Sequence, residues 1–120
     1  MTGLSTGGVS TLEGPVILIG YEYRLQLQAD TALFPQACVL AGQMRTRLAA
    51  LDVIATLLSE TGSLIRIDDY TLEIVVAADV TAALIPGSVV VDFIRIDLTP
   101  ERPLGFSLEI PVQQPVTRGL

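Results

Sequence analysis

The sequence contains no histidine, no lysine and no tryptophan, and a single cysteine. Each absence removes a class of chemistry. Without His, the commonest general base and the imidazole metal ligand are gone. Without Lys, neither Schiff bases nor Ser–Lys nucleophile pairs can form. Cys38 alone excludes an intramolecular disulfide, has no His to activate it, and lies in an apolar run where a free cysteine behaves as a small buried hydrophobe. Charge is scarce as well, at 17% of residues against the roughly 25% usual for a soluble domain. The apolar stretches are cut by Glu73, Asp79, Asp92 and Arg95, so none reaches the ~18 residues of a membrane span, and no membrane insertion is expected. The N-terminus lacks the basic and apolar regions of a secretory signal. All seven basic residues are Arg, and the net charge of −6 argues against a nucleic-acid partner, because phosphate neutralisation needs clustered cations.

What is present is aliphatic. Half of the 120 residues are hydrophobic but only 5% are aromatic, which predicts one domain with a two-layer core of Val, Ile, Leu and Ala. The apolar surplus requires burial, and other subunits are one place for it. Carboxylate pairs are the surviving route to catalysis, with Asp68–Asp69 and Asp92–Asp97 as candidates. Turn chemistry accounts better for Asp68 and Asp69, and neither EF-hand spacing nor a Gly-rich phosphate loop is found. The reading is therefore of a protein that is not an enzyme, with no catalytic, cofactor-binding or metal residue and no cofactor.

The stretch from Tyr70 to Leu98 organises the chain. Two β-patterned runs, Tyr70 to Val76 and Ser88 to Leu98, flank a helical turn at about 79–84, with Asp79 as the expected N-cap and Pro86–Gly87 as the stop. The link is too short for a parallel crossover within one sheet, which predicts passage from one sheet to another. Before it, Tyr21, Tyr23, Leu25 and Leu27 alternate with Glu22, Arg24, Gln26 and Gln28, marking a strand with one buried face, and 15–19 forms a short edge strand. A second strand carries Leu40, Met44 and Leu48 against Gln43, Arg45 and Arg47, so that both arginines share a face. Val53 to Ser59 is read as a strand, followed by Leu64 to Ile67 and a hairpin at Asp68–Asp69. Val90 and Ile94 make the second face of the long strand apolar, as in a central strand or one covered by a partner. The last strand spans Gly105 to Val112. These elements predict an all-β fold, an Ig-like or jelly-roll-type antiparallel β-sandwich over 15–112. A Gly/Ser/Thr-rich N-terminal arm (1–14) and a C-terminal tail (113–120) flank it.

The order of segments resembles small β-sandwich proteins of tailed bacteriophages, similar to the N-terminal domain of baseplate upper proteins and to modules encoded beside tail-fibre genes. The resemblance covers about 20–118. It rests on Gly20 before GYEYRLQLQAD's core strand, Arg45 and Arg47 in the next, a T-x-A-L-x-x-G corner (Thr81, Ala83, Leu84, Gly87) and Asp92 before Phe93. The longer ADTALFPQA departs from the Asp-Gly hairpin common in that family. The resemblance implies a virion protein of the tail or baseplate, synthesised in the host cytoplasm, that docks or supports receptor-binding fibres as an adaptor. Its partners would be other phage structural proteins and copies of itself, in a trimer or another cyclic homo-oligomer. Gly7, Gly8, Val9, Arg45, Arg47, Val90 and Ile94 are the candidate interface residues. The alternatives are a carbohydrate- or ligand-binding sandwich, which would expose Tyr21, Tyr23 or Tyr70 together, and a capsid decoration or neck protein.

Overall fold

The computed structural model describes residues 10–47 and 49–116. Gly7, Gly8, Val9 and Leu48 lie outside the described residues, as does the end of the expected C-terminal tail. Among the described residues the strands are β1 (Ser10–Glu13), β2 (Ile17–Leu18), β3 (Tyr23–Gln28), β4 (Leu40–Arg45), β5 (Ala55–Leu58), β6 (Leu64–Asp68), β7 (Thr71–Val76), β8 (Gly87–Arg95) and β9 (Arg102–Gln113), with one helical turn, α1 (Ala78–Thr81), between β7 and β8.

One sheet has the order β1-β9-β8-β4-β5, with β2 also on β9, and the other β3-β7-β6. This is the immunoglobulin arrangement, G-F-C-C′ over B-E-D, and it decides between the two expected sandwich types. The link through α1 does carry the chain from one sheet to the other. One feature departs from the antiparallel expectation: β1 and β2 both run parallel to β9. Residues 10–13, expected in the N-terminal arm, thus form a strand of this domain's own sheet.

Alternation along each strand builds the core. Tyr23, Leu27, Leu64, Leu72, Ile74 and Val76 of the smaller sheet face Leu40, Met44, Val91, Phe93, Phe106 and Leu108 of the larger, all in one buried cluster. Phe34 seals the β3–β4 side, its N–H donating to the Asp69 carbonyl and its carbonyl accepting from Arg66 Nε. Gly42 of β4 makes room for Phe93, since an added Cβ would stand 2.9 Å from the Phe93 ring and 3.1 Å from the Asp92 carbonyl oxygen. The Phe93 ring in turn packs on Phe106 with centroids 5.6 Å apart.

Several expectations are corrected. The N-cap of α1 is Ala77, and Asp79 lies in the first turn with no cap bond. The helix starts early because the Ala77 carbonyl already accepts from the Val80 and Thr81 N–H groups. Tyr21 is half exposed, because the positive φ of Gly20 (90°) turns the chain ahead of β3. Arg47 lies beyond the end of β4 and shares no strand face with Arg45. The hairpin turn is Asp69–Tyr70, one residue later than expected, with the Tyr70 N–H donating to Asp68 Oδ1. β8 stops at Arg95, and β9 starts earlier than expected, at Arg102, because a register shift between Asp92 and Ile94 lets Pro103 pair opposite Ile94. Val90 is buried within its own sheet, with Arg45 and Glu109 as register partners on either side.

The β7–β8 corner is fastened by Thr81, whose side chain is fully buried. Its Oγ1 accepts from the Gly20 N–H at 3.1 Å and lies 2.9 Å from the Tyr21 carbonyl oxygen and 3.1 Å from that of Ala78 as acceptors. Thr81→Val leaves an N–H and a carbonyl without partners and is expected to cost about 1–3 kcal/mol. Thr81→Ser keeps the hydroxyl and is expected to cost less; urea denaturation of both variants measures the difference.

Candidate functional site

Three of the four candidate carboxylates, Asp68, Asp69 and Asp97, are engaged in local structure. Asp68 closes the β6–β7 turn, and Asp69 is held by the Arg66 guanidinium. Asp97 receives Arg95 Nη2 at 2.6 Å and the Val39 N–H at 3.2 Å, tying the β3–β4 loop to the end of β8. Asp92 stands exposed in the middle of β8, on the face away from the core. No group of three or more potential metal-ligating residues is found among the described residues. Burial pushes the Cys38 thiol up, against the lowering influence of Arg95, the opposite of what activates a cysteine nucleophile.

Of the candidate interface residues, Arg45, Val90 and Ile94 come together on the outer face of the larger sheet. Arg45 pairs in register with Val90, and Ile94 with Ala41. Arg45 has a role within the chain: its guanidinium donates to the carbonyls of Ala50 (3.0 Å) and Leu51 (2.7 Å) and to Gln43 Oε1 (2.8 Å). It thereby fixes the β4–β5 loop. Arg47 is exposed in that loop, at the end of the sheet and off its face.

Sequence reasoning missed the end of the sandwich where this loop lies. Register places the end of β4, the start of β5, the start of β8 and the ends of β9 and β2 at one level. The Thr81 bonds bring α1 and the β2–β3 turn to the same end. Here Leu51 is 94% exposed, Ile85 is 73% exposed, and Val53 and Ile54 are partly so. Ile54, Leu84, Ile85, Pro86 and Val89 line a groove of about 420 Å³, mostly apolar. A second groove of about 440 Å³ runs beside Leu18, Tyr21 and Val116, with Gln113 and Gln114 in its wall. The signal was present in the sequence as the apolar ends of ALDVIA and AALIPG, but the reading placed them in a turn before Val53 and at the stop of a helical turn, with nothing to show that they share one end.

The tyrosines do not form one patch. Tyr23 is buried, its hydroxyl donating to the Pro15 carbonyl at 2.8 Å. Tyr21 precedes β3, whereas Tyr70 lies in the turn beyond its far end, where its carbonyl accepts from Ala29. Among the described residues no helix is long and apolar enough to cross a membrane. No protein-family model matches the chain, and no curated protein does either.

Two groups define pH limits. The Arg95 hydrogen bond, with help from the Val39 N–H, holds the Asp97 carboxyl down at about 2, below its ordinary 3.8. Its stabilising contribution is complete above pH ~4 and is lost as pH falls toward 2. Burial raises the Tyr23 phenol from 10.0 to about 12, so its contribution is complete below pH 10 and is lost as pH rises toward 12. Thermal denaturation across pH is expected to show a flatter acid limb for Asp97→Asn and a flatter alkaline limb for Tyr23→Phe.

Proposed function

We propose that this chain is a structural assembly protein, specifically a tail or baseplate component of a tailed bacteriophage that docks or supports receptor-binding fibres through subunit contacts. The observation that carries the reading is the concentration of exposed aliphatic side chains at one end of the sandwich, with Leu51 almost bare and Ile85 largely exposed. Exposed apolar side chains gathered at one end favour an interaction site. The segment order resembling phage sandwich proteins supplies the narrower assignment. A net charge of −6 with sparse charge overall suits a surface that meets protein.

A second reading, a glycan- or ligand-binding module, has one observation in its favour: the half-exposed Tyr21 ring beside Gln113 and Gln114, a stacking surface next to amides. Tyr70 at the far end of β3 cannot join it, so a single ring would carry the recognition.

The assembly reading predicts a stable oligomer of the full chain in analytical ultracentrifugation. A monomer at every concentration up to hundreds of micromolar would refute it. Immunogold electron microscopy of the virion tests the location: labelling at the tail tip is expected, labelling over the head would favour capsid decoration, and no labelling would remove the phage assignment. Deleting residues 1–9, which leaves β1 intact, tests Gly7, Gly8 and Val9, with weakened assembly as the expected result.

A further inference from the structure

We propose that β1 is exchanged between copies of this chain, Ser10–Glu13 of one copy occupying the β9 edge of a neighbouring copy in place of that copy's own β1. The inference rests on the assembly reading above and names a contact between the copies. Three observations carry it.

The first is that seat and occupant fit. β1 runs parallel to β9 with Ser10 opposite Phe106 and Glu13 opposite Glu109. Thr11 Oγ1 lies 3.5 Å from Ser107 Oγ. The same four residues of another copy reproduce each of these contacts, so exchange needs no new complementary surface.

The second is how little β1 contributes to the core. The buried cluster begins at Ile17 of β2; Leu12 is only partly buried against it, and Thr11 and Glu13 are exposed. β1 lies at the end of its sheet, with β9 as its neighbour. Glu13 and Glu109, both exposed, stand directly opposite each other, and like charges so placed oppose pairing. Detaching β1 therefore costs little, while it bares the β9 edge along 106–109, which takes up another strand.

The third is the hinge. Gly14 still donates to the Glu109 carbonyl at 2.9 Å, and Ile17 is fully buried. Between them Pro15 and Val16 are exposed and belong to no strand. Pro15 has no N–H to lose when the chain is redirected there, and its carbonyl is anchored by the Tyr23 hydroxyl at 2.8 Å. The chain beyond Pro15 thus stays in place when β1 swings out. Residues 14–16 reach about 10 Å when extended, which sets the β9 edges of the two copies side by side.

A disulfide between register partners tests the proposal. Thr11→Cys and Ser107→Cys are placed in one full-length chain that also carries Cys38→Ser. Oxidation at a concentration where the wild type sediments as an oligomer, followed by a denaturing gel without reductant, reads which β9 each β1 occupies. Disulfide-linked dimers or higher multiples are expected, and reductant returns them to single chains. Mixing two chains that carry Thr11→Cys and Ser107→Cys separately is expected to give a linked dimer that neither gives alone. A single-chain band with both thiols consumed, and no link in the mixture, shows each β1 on its own β9; this overturns the exchange and leaves the assembly reading standing. Thiols that stay free overturn it as well, because no β1 is then seated on a β9. A wild type monomeric at every concentration overturns both readings.

Discussion

The buried hydroxyl of Thr81 is the interaction on which the arrangement of this sandwich depends. With a single cysteine and no tryptophan, the two sheets have neither an intramolecular disulfide nor a large ring to set their spacing. An aliphatic layer attracts without direction. Direction must come from the polar bonds where the chain changes sheet, and Thr81 ties the β7–β8 crossing to Gly20 and Tyr21 at the entry to β3. Tyr23 adds a second tie on the same side, from the core of the smaller sheet to Pro15 at the break between β1 and β2. A Cβ added at Gly14 would lie 3.0 Å from the Tyr23 hydroxyl, so a larger residue there presses on this bond.

This geometry gives a physical account of Gly20 and of the T-x-A-L-x-x-G corner. Gly20 and the corner Thr81, 61 positions apart in sequence, are direct hydrogen-bond partners. Leu84 of the same corner is buried, and Gly87 opens β8 with a φ of 141°. A spacing that reads as a motif is here the requirement for folding one end of the sandwich. The exposed residues between these fixed points, Ile85 above all, are free to serve recognition.

The strands and the sheet change were legible because period-2 alternation is a local property of the backbone, and the link through α1 was too short to be anything else. Other features were not local. The parallel pairing of β1 and β2 with β9 joins the two ends of the chain, and nothing in STLE or IL announces its partner. Ala37 takes a positive φ of 65°, a position where Gly or Asn would have signalled the turn closed by Cys38 and Pro35. The arginines illustrate the limit at the candidate site. Alternation put Arg45 and Arg47 on one face, but the strand ended between them: one became the brace of a loop and the other its exposed charge.

The strand edges of both sheets are blunted. An open edge is the usual route by which sandwiches add strands, and natural ones are blunted. The β1–β2 edge is interrupted at 14–16 by a glycine and a proline. β6 carries a register irregularity between Arg66 and Asp68, and β5 has four residues. β3 is the longest unbroken edge at six residues, and it places Arg24 there in ion pairs with Glu22 and Glu73, which a docking strand would have to displace. The outer face of the larger sheet is no better suited: Glu13 and Glu109 stand opposite each other across β1 and β9, and a second copy stacked on them would bring four carboxylates together. At the loop end Leu51 and Ile85 are exposed, Asp52 and Asp79 are exposed in the same loop and in α1, and Arg45 braces the loop through carbonyl oxygens while keeping its charge.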